Sequence, residues 1–120
     1  MYRFIIYLLI IFSVQLFGQN YFSGNIDNTT VWQGEVYIDG DVTVSQGAVL
    51  TIVEGTRIYF KPQVDARKSG KDKERAEIIV NGVIRAKSSN PFNPIVFTSA
   101  SNNPQMNDWY GLVIKNFFDP

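Results

Sequence analysis

The chain has 120 residues, a formal net charge of zero, and neither cysteine nor histidine. This length allows a single domain, and the charge balance gives no reason to expect nucleic acid as a partner. Without cysteine and histidine, disulfide bonds, thiolate chemistry, Ser–His catalysis and ordinary zinc sites are excluded.

Residues 1–19 have the layout of a secretory signal peptide. Arg3 supplies a short positive start, an apolar run follows over residues 4–17, and the small residue Gly18 precedes Gln19. This order is typical of a segment that is cleaved after export. The run is shorter than the roughly 18–20 residues that span a bilayer, so an uncleaved membrane anchor is the less favoured alternative. We therefore expect a secreted or cell-surface protein that meets the membrane only through this segment before cleavage.

Residues 20–41 are predicted to form a lead-in and an N-terminal cap. Residues 20–30 are rich in Asn, Ser, Gly and Thr, which favour irregular turns. A first strand is expected near Val36–Ile38, and Asp39-Gly40 is expected to turn the chain.

Residues 42–60 carry the most regular pattern in the sequence. Three apolar–polar–apolar triplets follow at a spacing of eight residues: Val42-Thr43-Val44, Leu50-Thr51-Ile52 and Ile58-Tyr59-Phe60. Such alternation predicts short strands with one buried face, so Thr43, Thr51 and Tyr59 are the expected outward positions. The sameness of the triplets favours the stacked units of a solenoid. Asp39-Gly40 and Asn81-Gly82 are common hairpin turns, however, so an antiparallel meander remains open at this point.

Strand character continues towards the C-terminus, at residues 77–80, 83–86, 95–98 and 109–114. Asn81-Gly82 is expected to turn the chain because both residues tolerate a positive φ. We count one coil over residues 42–60, a second over 78–97 and the start of a third over 109–114. Residues 42–120 are thus assigned to the first coils of a solenoid.

A charged segment interrupts this pattern. Nine of the sixteen residues in 61–76 are charged, and six of them are Lys or Arg. A basic cluster can contact acidic polysaccharide, nucleic acid or anionic lipid. Because Asp65, Asp72 and Glu74 interleave with the bases and no aromatic residue is present, we favour a solvated loop without a partner.

Taken in order, the motifs resemble the N-terminal coils of exported, Bacteroidetes-type right-handed parallel β-helix proteins. They are Gly40–Val44, Gly47–Ile52, Gly55–Phe60, Ile79–Gly82, Pro94–Ser99 and Trp109–Val113. The resemblance spans residues 31–114 and implies an all-β fold, the start of a right-handed parallel β-helix preceded by a signal peptide helix. It also implies export and, often, a C-terminal sorting domain. No sorting domain is recognised here, and a third coil that is only begun would leave an open strand end. We therefore expect the chain to be the front part of a longer protein, the alternative being that copies stack end to end.

Few residues qualify as a functional site. Asp39 and Asp41 flank Gly40 and are candidate calcium ligands, although a simple turn is favoured because calcium takes six to eight oxygens. We therefore expect no cofactor and no catalytic residue within the chain. A second set of candidates is aromatic and suited to stacking on sugars, although packing is favoured for its members: Trp32, Tyr37, Trp109 and Tyr110.

The sequence therefore predicts a non-catalytic structural or adhesive module, with polysaccharide or another cell-surface component as its partner. The alternative, drawn from the resemblance, is the N-terminal part of a polysaccharide lyase or hydrolase whose active site lies beyond residue 120. Such enzymes need paired carboxylates, or calcium with a basic residue, on neighbouring coils. The outward positions of the triplets supply no such pair.

Overall fold

The computed structural model describes residues 20–115, and the regular elements in this part of the chain are nine strands. They are β1 (Tyr21–Ile26), β2 (Thr30–Trp32), β3 (Glu35–Val44), β4 (Val49–Ile52), β5 (Arg57–Phe60), β6 (Glu77–Val80), β7 (Val83–Ala86), β8 (Val96–Ser99) and β9 (Gly111–Ile114). The predicted signal peptide helix lies outside the described residues. Within residues 20–115, no helix is long and apolar enough to span a bilayer.

Every strand pairing is parallel, and the strands stack in three columns. The first column contains the second half of β1, the second half of β3, β6 and β9. The second contains β2, β4 and β7, and the third contains the first residues of β1, the first half of β3, β5 and β8. Parallel neighbours cannot be joined by two-residue hairpins. The meander alternative is therefore wrong, and the all-β fold is the predicted start of a parallel β-helix.

The inside of the coil is filled by the apolar residues of the eight-residue pattern. All six apolar members of the three triplets are at most 1% exposed, whereas Thr43, Thr51 and Tyr59 are partly exposed on the outside. Val42 pairs with Ile78 in the next coil, and Leu50 pairs with Ile84. Burying each such side chain contributes about 1.5–3 kcal/mol, so the stacked aliphatic columns are the main source of stability.

The coils differ in length because one of them carries the charged segment. In the first column Gly24 pairs with Val42, and Val42 pairs with Ile78, so the second step along the chain is much longer than the first. Residues 61–76 account for most of this difference and contain no strand. These residues leave the coil after β5 and return to it at β6, as expected for an insertion.

The expected irregular lead-in over residues 20–30 is wrong. Two strands, β1 and β2, occupy it, and both pair with the following coil. Ile26 and Trp32 are buried there at 5% and 9% exposure. Pairing and burial against the following coil outweigh the local preference of these residues for turns.

Of the two expected turns, the one at Asp39-Gly40 is absent, and the one at Asn81-Gly82 is present between β6 and β7 but lacks the expected positive φ. Asp39-Gly40 lies inside the ten-residue β3, where the chain passes from the third column to the first. Neither Asn81 nor Gly82 has a positive φ. Gly82 is required for another reason, since an added Cβ would clash with the carbonyl oxygens of Ser45 and Ala48 in the neighbouring coil.

We predict that Gly82→Ala and Gly82→Asn each lower the free energy of unfolding by about 1–3 kcal/mol, because the new Cβ meets backbone that cannot move aside. Urea unfolding followed by circular dichroism measures the change. The exposed residue Gln46, in the turn that Gly82 packs against, provides the control, and Gln46→Ala should change stability by less than about 0.5 kcal/mol. A stable Gly82→Asn variant would contradict the close approach, because a left-handed turn accepts Asn.

Candidate functional site

Three buried carboxyl groups meet at one corner of the coil. Asp41, Asp65 and Glu77 are 1%, 5% and 0% exposed. Acidic side chains are rarely buried to this degree unless hydrogen bonds compensate for the loss of water. All three accept hydrogen bonds from backbone N–H groups, and all of those bonds involve residues 61–76 or their flanks. We refer to residues 61–76 as the basic loop and to these three residues as the carboxyl cluster.

Asp65 organises the first part of the basic loop. Its Oδ1 accepts hydrogen bonds from the backbone N–H groups of Asp41 and Arg67, both at 3.0 Å. Its Oδ2 accepts one from the N–H of Ser69 at 3.1 Å. These bonds hold a tight turn in which Lys68 adopts a φ of 51°, a conformation that side-chain-bearing residues seldom take.

Asp41 connects the loop to the coil. Its Oδ2 accepts a hydrogen bond from the Ser69 hydroxyl at 2.5 Å, and its Oδ1 accepts one from the backbone N–H of Glu77 at 3.0 Å. The Glu77 carboxylate then accepts hydrogen bonds from the N–H groups of Lys71 and Asp72 at 3.0–3.2 Å. The loop is therefore fastened at its beginning, middle and end.

Gly40 makes room for this attachment. A Cβ at this position would lie 2.8 Å from the backbone nitrogen of Ala66. The same Ala66 nitrogen donates a hydrogen bond to the carbonyl oxygen of Asp39 at 2.9 Å. The glycine between the two aspartates thus lets the basic loop pack directly on β3.

The expectation of a solvated loop is correct for its bases and wrong for Asp65. Arg67, Lys68, Lys71 and Lys73 are exposed, as long charged side chains usually are. Asp65 instead points inward, because the turn that it caps offers three backbone N–H donors that compensate for the lost water.

The buried position changes the protonation of Asp41. Burial raises the pKa of its carboxyl group from the ordinary 3.8 to about 6, hydrogen bonds from Ser69 and from the Glu77 backbone oppose the increase, and the adjacent Asp65 carboxyl adds to it. At mildly acidic pH the Asp41 carboxyl group is therefore protonated, and its O–H donates a hydrogen bond to the Asp65 carboxylate.

The candidate calcium ligands differ in their surroundings. Asp41 is buried and has both carboxylate oxygens engaged by protein donors, whereas Asp39 is half-buried. Across residues 20–115, no group of three acidic side chains is arranged to hold a metal ion. The local geometry gives Asp41 the role of a loop anchor.

An open groove of about 890 Å³ lies beside the basic loop. Residues of the loop and of the segment before β9 line it, among them Gln63, Lys68, Asp72, Lys73, Arg75 and Asn107. Arg75 Nη2 and Asp72 Oδ2 are 2.5 Å apart and form the sole ion pair in the described part of the chain. The backbone N–H groups of Glu74 and Arg75, together with the Arg75 guanidinium, hold the pKa of Asp72 below its usual range.

Comparison with known proteins assigns the family. A family model described as a pectate-lyase-like β-helix domain matches residues 24–116, which include β2 to β9 and half of β1. The chain belongs to this family. No curated protein and no solved structure matches it significantly. The predicted β-helix is thereby confirmed, while a Bacteroidetes-type origin and export remain predictions.

In this pectate-lyase-like β-helix domain, two of the four aromatic candidates pack inside. Trp32 is 9% exposed and meets the ring of Phe22 edge-on. Trp109 is half-buried and stacks on Phe60, with ring centroids 4.1 Å apart and planes 3° from parallel. Both tryptophans cover apolar residues, in keeping with the favoured packing role.

The other two candidates are partly exposed and lie in different columns. Tyr110 precedes β9, and the Arg75 guanidinium lies over its ring at 5.6 Å. Tyr37 belongs to an outward ladder in which Tyr21, Tyr37 and Tyr59 are register partners. Tyr37 and Tyr59 stack at 4.9 Å, and Tyr21 meets Tyr37 edge-on at 5.7 Å. The structure therefore does not bring the four candidates together, and the ladder presents ring edges and hydroxyls rather than open faces.

Two features of the site were not predicted, the buried Glu77 and the tyrosine ladder, and the sequence carries a signal for the first of them. Glu77 opens a strand whose other residues are all apolar, and an acid in such a strand indicates a buried hydrogen-bonded group. The tyrosine ladder follows from the spacing between coils, since Tyr37 and Tyr59 are register partners in successive coils. That vertical spacing cannot be read from the eight-residue step within one coil.

We predict that Asp41 makes folding less favourable as the pH rises. A carboxyl whose pKa is raised on folding stabilises the folded state fully below its unfolded value of 3.8, and this contribution is lost as the pH passes through about 6. Asp41→Asn imitates the protonated form at every pH, so its stability relative to the native chain should increase from about pH 4 to about pH 7. Urea midpoints across this range measure the difference.

Asp39→Asn is the matched control, because this neighbouring acid lies outside the carboxyl cluster. Its stability should change with pH in parallel with the native chain. The lowered pKa values of Asp72 and Asp108 act in the opposite direction, and they are common to all three proteins. Parallel curves for Asp41→Asn and the native chain would contradict a raised pKa at Asp41.

Proposed function

We propose that this pectate-lyase-like β-helix domain is a non-catalytic structural or adhesive module of a secreted or cell-surface protein, with polysaccharide as its partner. One observation carries the proposal. Asp41 and Asp65, the carboxyl groups that approach each other, are buried beneath the basic loop and are used to fasten it. Hydrolysis of a glycosidic bond needs two carboxyl groups that both reach the sugar, whereas a lyase needs calcium with a basic residue.

The outer faces of the coil also support a structural role. Thr43, Thr51 and Tyr59, at the centres of the triplets, provide no carboxylate for sugar chemistry. The tyrosine ladder offers a row of hydroxyl groups and ring edges, and the Tyr37 hydroxyl already donates to Glu35 Oε2 at 3.3 Å. Such a surface suits contact with a polar polymer better than it suits catalysis.

The alternative is the N-terminal part of a β-helix lyase or hydrolase whose active site lies beyond residue 120. The description of the family as pectate-lyase-like favours it. In that case residues 20–115 would be the supporting coils of the enzyme.

Export completes the proposal. The signal peptide over residues 1–19 would direct the chain out of a bacterial cell, of Bacteroidetes type by resemblance. A chain without cysteine has to be stable by burial and backbone hydrogen bonding alone, and the filled coil meets that need.

We predict that the chain does not depolymerise polysaccharides. Neutral and acidic polymers are incubated with it, with and without calcium, and both new reducing ends and the ultraviolet absorbance of unsaturated uronates are followed. Neither should increase, because Asp41 and Asp65, the two carboxyl groups that approach each other, are buried beneath the basic loop and do not reach a sugar. Product formation that is lost in Glu35→Gln or Glu74→Gln would contradict the proposal. Activity that appears only when downstream coding sequence is included would favour the alternative.

We further predict that the exported protein begins at Gln19 or Asn20, because the apolar run fits a cleavable signal. Expression in a bacterium with an export pathway, followed by intact mass measurement of the periplasmic or secreted form, checks this. A variant with Phe4–Phe17 interrupted by two arginines serves as the control and should stay in the cytoplasm. A protein that keeps Met1 and sediments with membranes would contradict cleavage.

A further inference from the structure

One aromatic side chain stands almost free of the fold. Phe92, in the loop between β7 and β8, is 94% exposed, whereas Phe60 in the core is fully buried. Large aromatic side chains usually bury most of their surface. At protein interfaces they are frequent anchors that fill a pocket of the partner. Phe92 is therefore a candidate anchor for another molecule.

The turn that carries Phe92 is rigid. The carbonyl oxygen of Asn90 accepts a hydrogen bond from the N–H of Asn93 at 3.0 Å, and Asn90 Oδ1 accepts one from the N–H of Phe92 at 2.9 Å. The Ser88 hydroxyl donates to the carbonyl oxygens of Asn90 and Asn93 at 2.9 and 2.8 Å. Pro91 fixes the backbone between them. A preorganised turn loses little entropy when its side chain enters a pocket.

The turn is also attached to the preceding coil. The Asn93 side chain packs against Gly55, where an added Cβ would lie 2.5 Å from Asn93 Oδ1. The Ser89 hydroxyl donates to Glu54 Oε1 at 3.4 Å. Both contacts join the turn to the residues that precede β5. Phe92 is thereby held out from the coil and cannot fold back onto it.

A hollow with aromatic walls lies at the N-terminal end of the coil, beside the turn between β1 and β2, and we call it the N-terminal hollow. Its volume of about 310 Å³ exceeds that of one phenyl ring. The rings of Phe22 and Trp32 stand in its wall edge to face, with centroids 6.4 Å apart. Aromatic rings favour this arrangement, so a third ring can add to it. The other lining residues are Ile26 and the polar Asn25, Asp27, Asn28 and Thr30.

The charges beside the ring and beside the hollow are complementary. Arg85 and Lys87 precede the turn of Phe92 and are exposed, and neither forms an ion pair within residues 20–115. Glu54 is the acid that contacts the turn. Two bases and one acid therefore flank the ring, whereas the charged residue that lines the hollow is Asp27. Opposite charges of this kind steer two surfaces together.

We infer that Phe92 of one copy inserts into the N-terminal hollow of a second copy, so that the protein assembles head to tail. The ring and the hollow are different surfaces, so every copy in a pair keeps one of them free. Such a contact builds an open chain of copies and not a closed pair. The inference goes beyond the proposed function, because it holds whether or not the module contacts polysaccharide.

The contact should be weak. One aromatic side chain buries about 150–250 Å², far less than the roughly 1,200–2,000 Å² of a stable protein interface. Single copies should therefore prevail in dilute solution. Chains should form where copies are concentrated, as they would be on a cell surface.

Sedimentation equilibrium of the protein expressed from the full sequence, at micromolar to millimolar concentration, measures the association. Phe92→Ser should weaken it about 10- to 100-fold, as expected for the loss of one buried aromatic anchor. Met106→Ser is the matched control, because Met106 is 96% exposed in a different loop. This variant should associate as the native protein does.

A second variant blocks the hollow. Asn25 is exposed and belongs to β1, where Trp is well accepted, so Asn25→Trp should fill the hollow and also abolish association. An equal mixture of Phe92→Ser and Asn25→Trp should form complexes of two copies and none larger, since one free ring meets one free hollow. Equal thermal unfolding midpoints of the variants and the native protein would show that all are folded.

Four results would overturn the inference. They are a native protein that stays single at every concentration, association that persists in Phe92→Ser, an equal loss in Met106→Ser, and a mixture without complexes of two copies. Cosedimentation with phosphatidylcholine vesicles that is lost in Phe92→Ser would also overturn it, because Phe92 would then belong to a lipid surface. The proposed non-catalytic module fails on a different measurement, namely the appearance of cleavage products.

Discussion

The fold depends on one constraint, the register of parallel strands stacked coil on coil. Each inward residue must lie directly above another inward residue, as Val42 lies above Ile78 and Leu50 above Ile84. A shift by one residue would turn every buried side chain of that strand outward. The hydrogen bonds of the ladder continue through the turns as well, where Asn81 N–H donates to the Val44 carbonyl oxygen and Lys115 N–H to that of Val80.

This register restricts where additional sequence can be placed. The basic loop enters between β5 and β6, at a corner, so the columns above and below stay in register. A loop of this length has many backbone N–H groups that the sheets cannot satisfy. The carboxyl cluster satisfies several of them, and Gly40 removes the side chain that would hold the loop away from β3. Asp41 and Asp65 lie close together, as the two catalytic carboxyl groups of a glycoside hydrolase do, but here they attach a loop.

The same attachment decides what the loop presents to its surroundings. Asp65 is drawn inward and Asp72 pairs with Arg75, whereas Glu74 and most of the bases stay exposed.

Sequence alone determined the inward and outward positions of the triplets and the insertion at residues 61–76, while the β-helix was predicted from the resemblance of the ordered motifs. Those features depend on local alternation and spacing, which remain visible without a fold. It did not reveal β1 and β2, the tyrosine ladder or the carboxyl cluster. Residues 20–30 form strands only because a neighbouring coil completes their hydrogen bonds, and Asp41 meets Ser69 and Glu77 from distant parts of the chain. Contacts of that separation exist only once the coils have stacked, so the tertiary structure alone decided which acids are buried and which charges face the solvent.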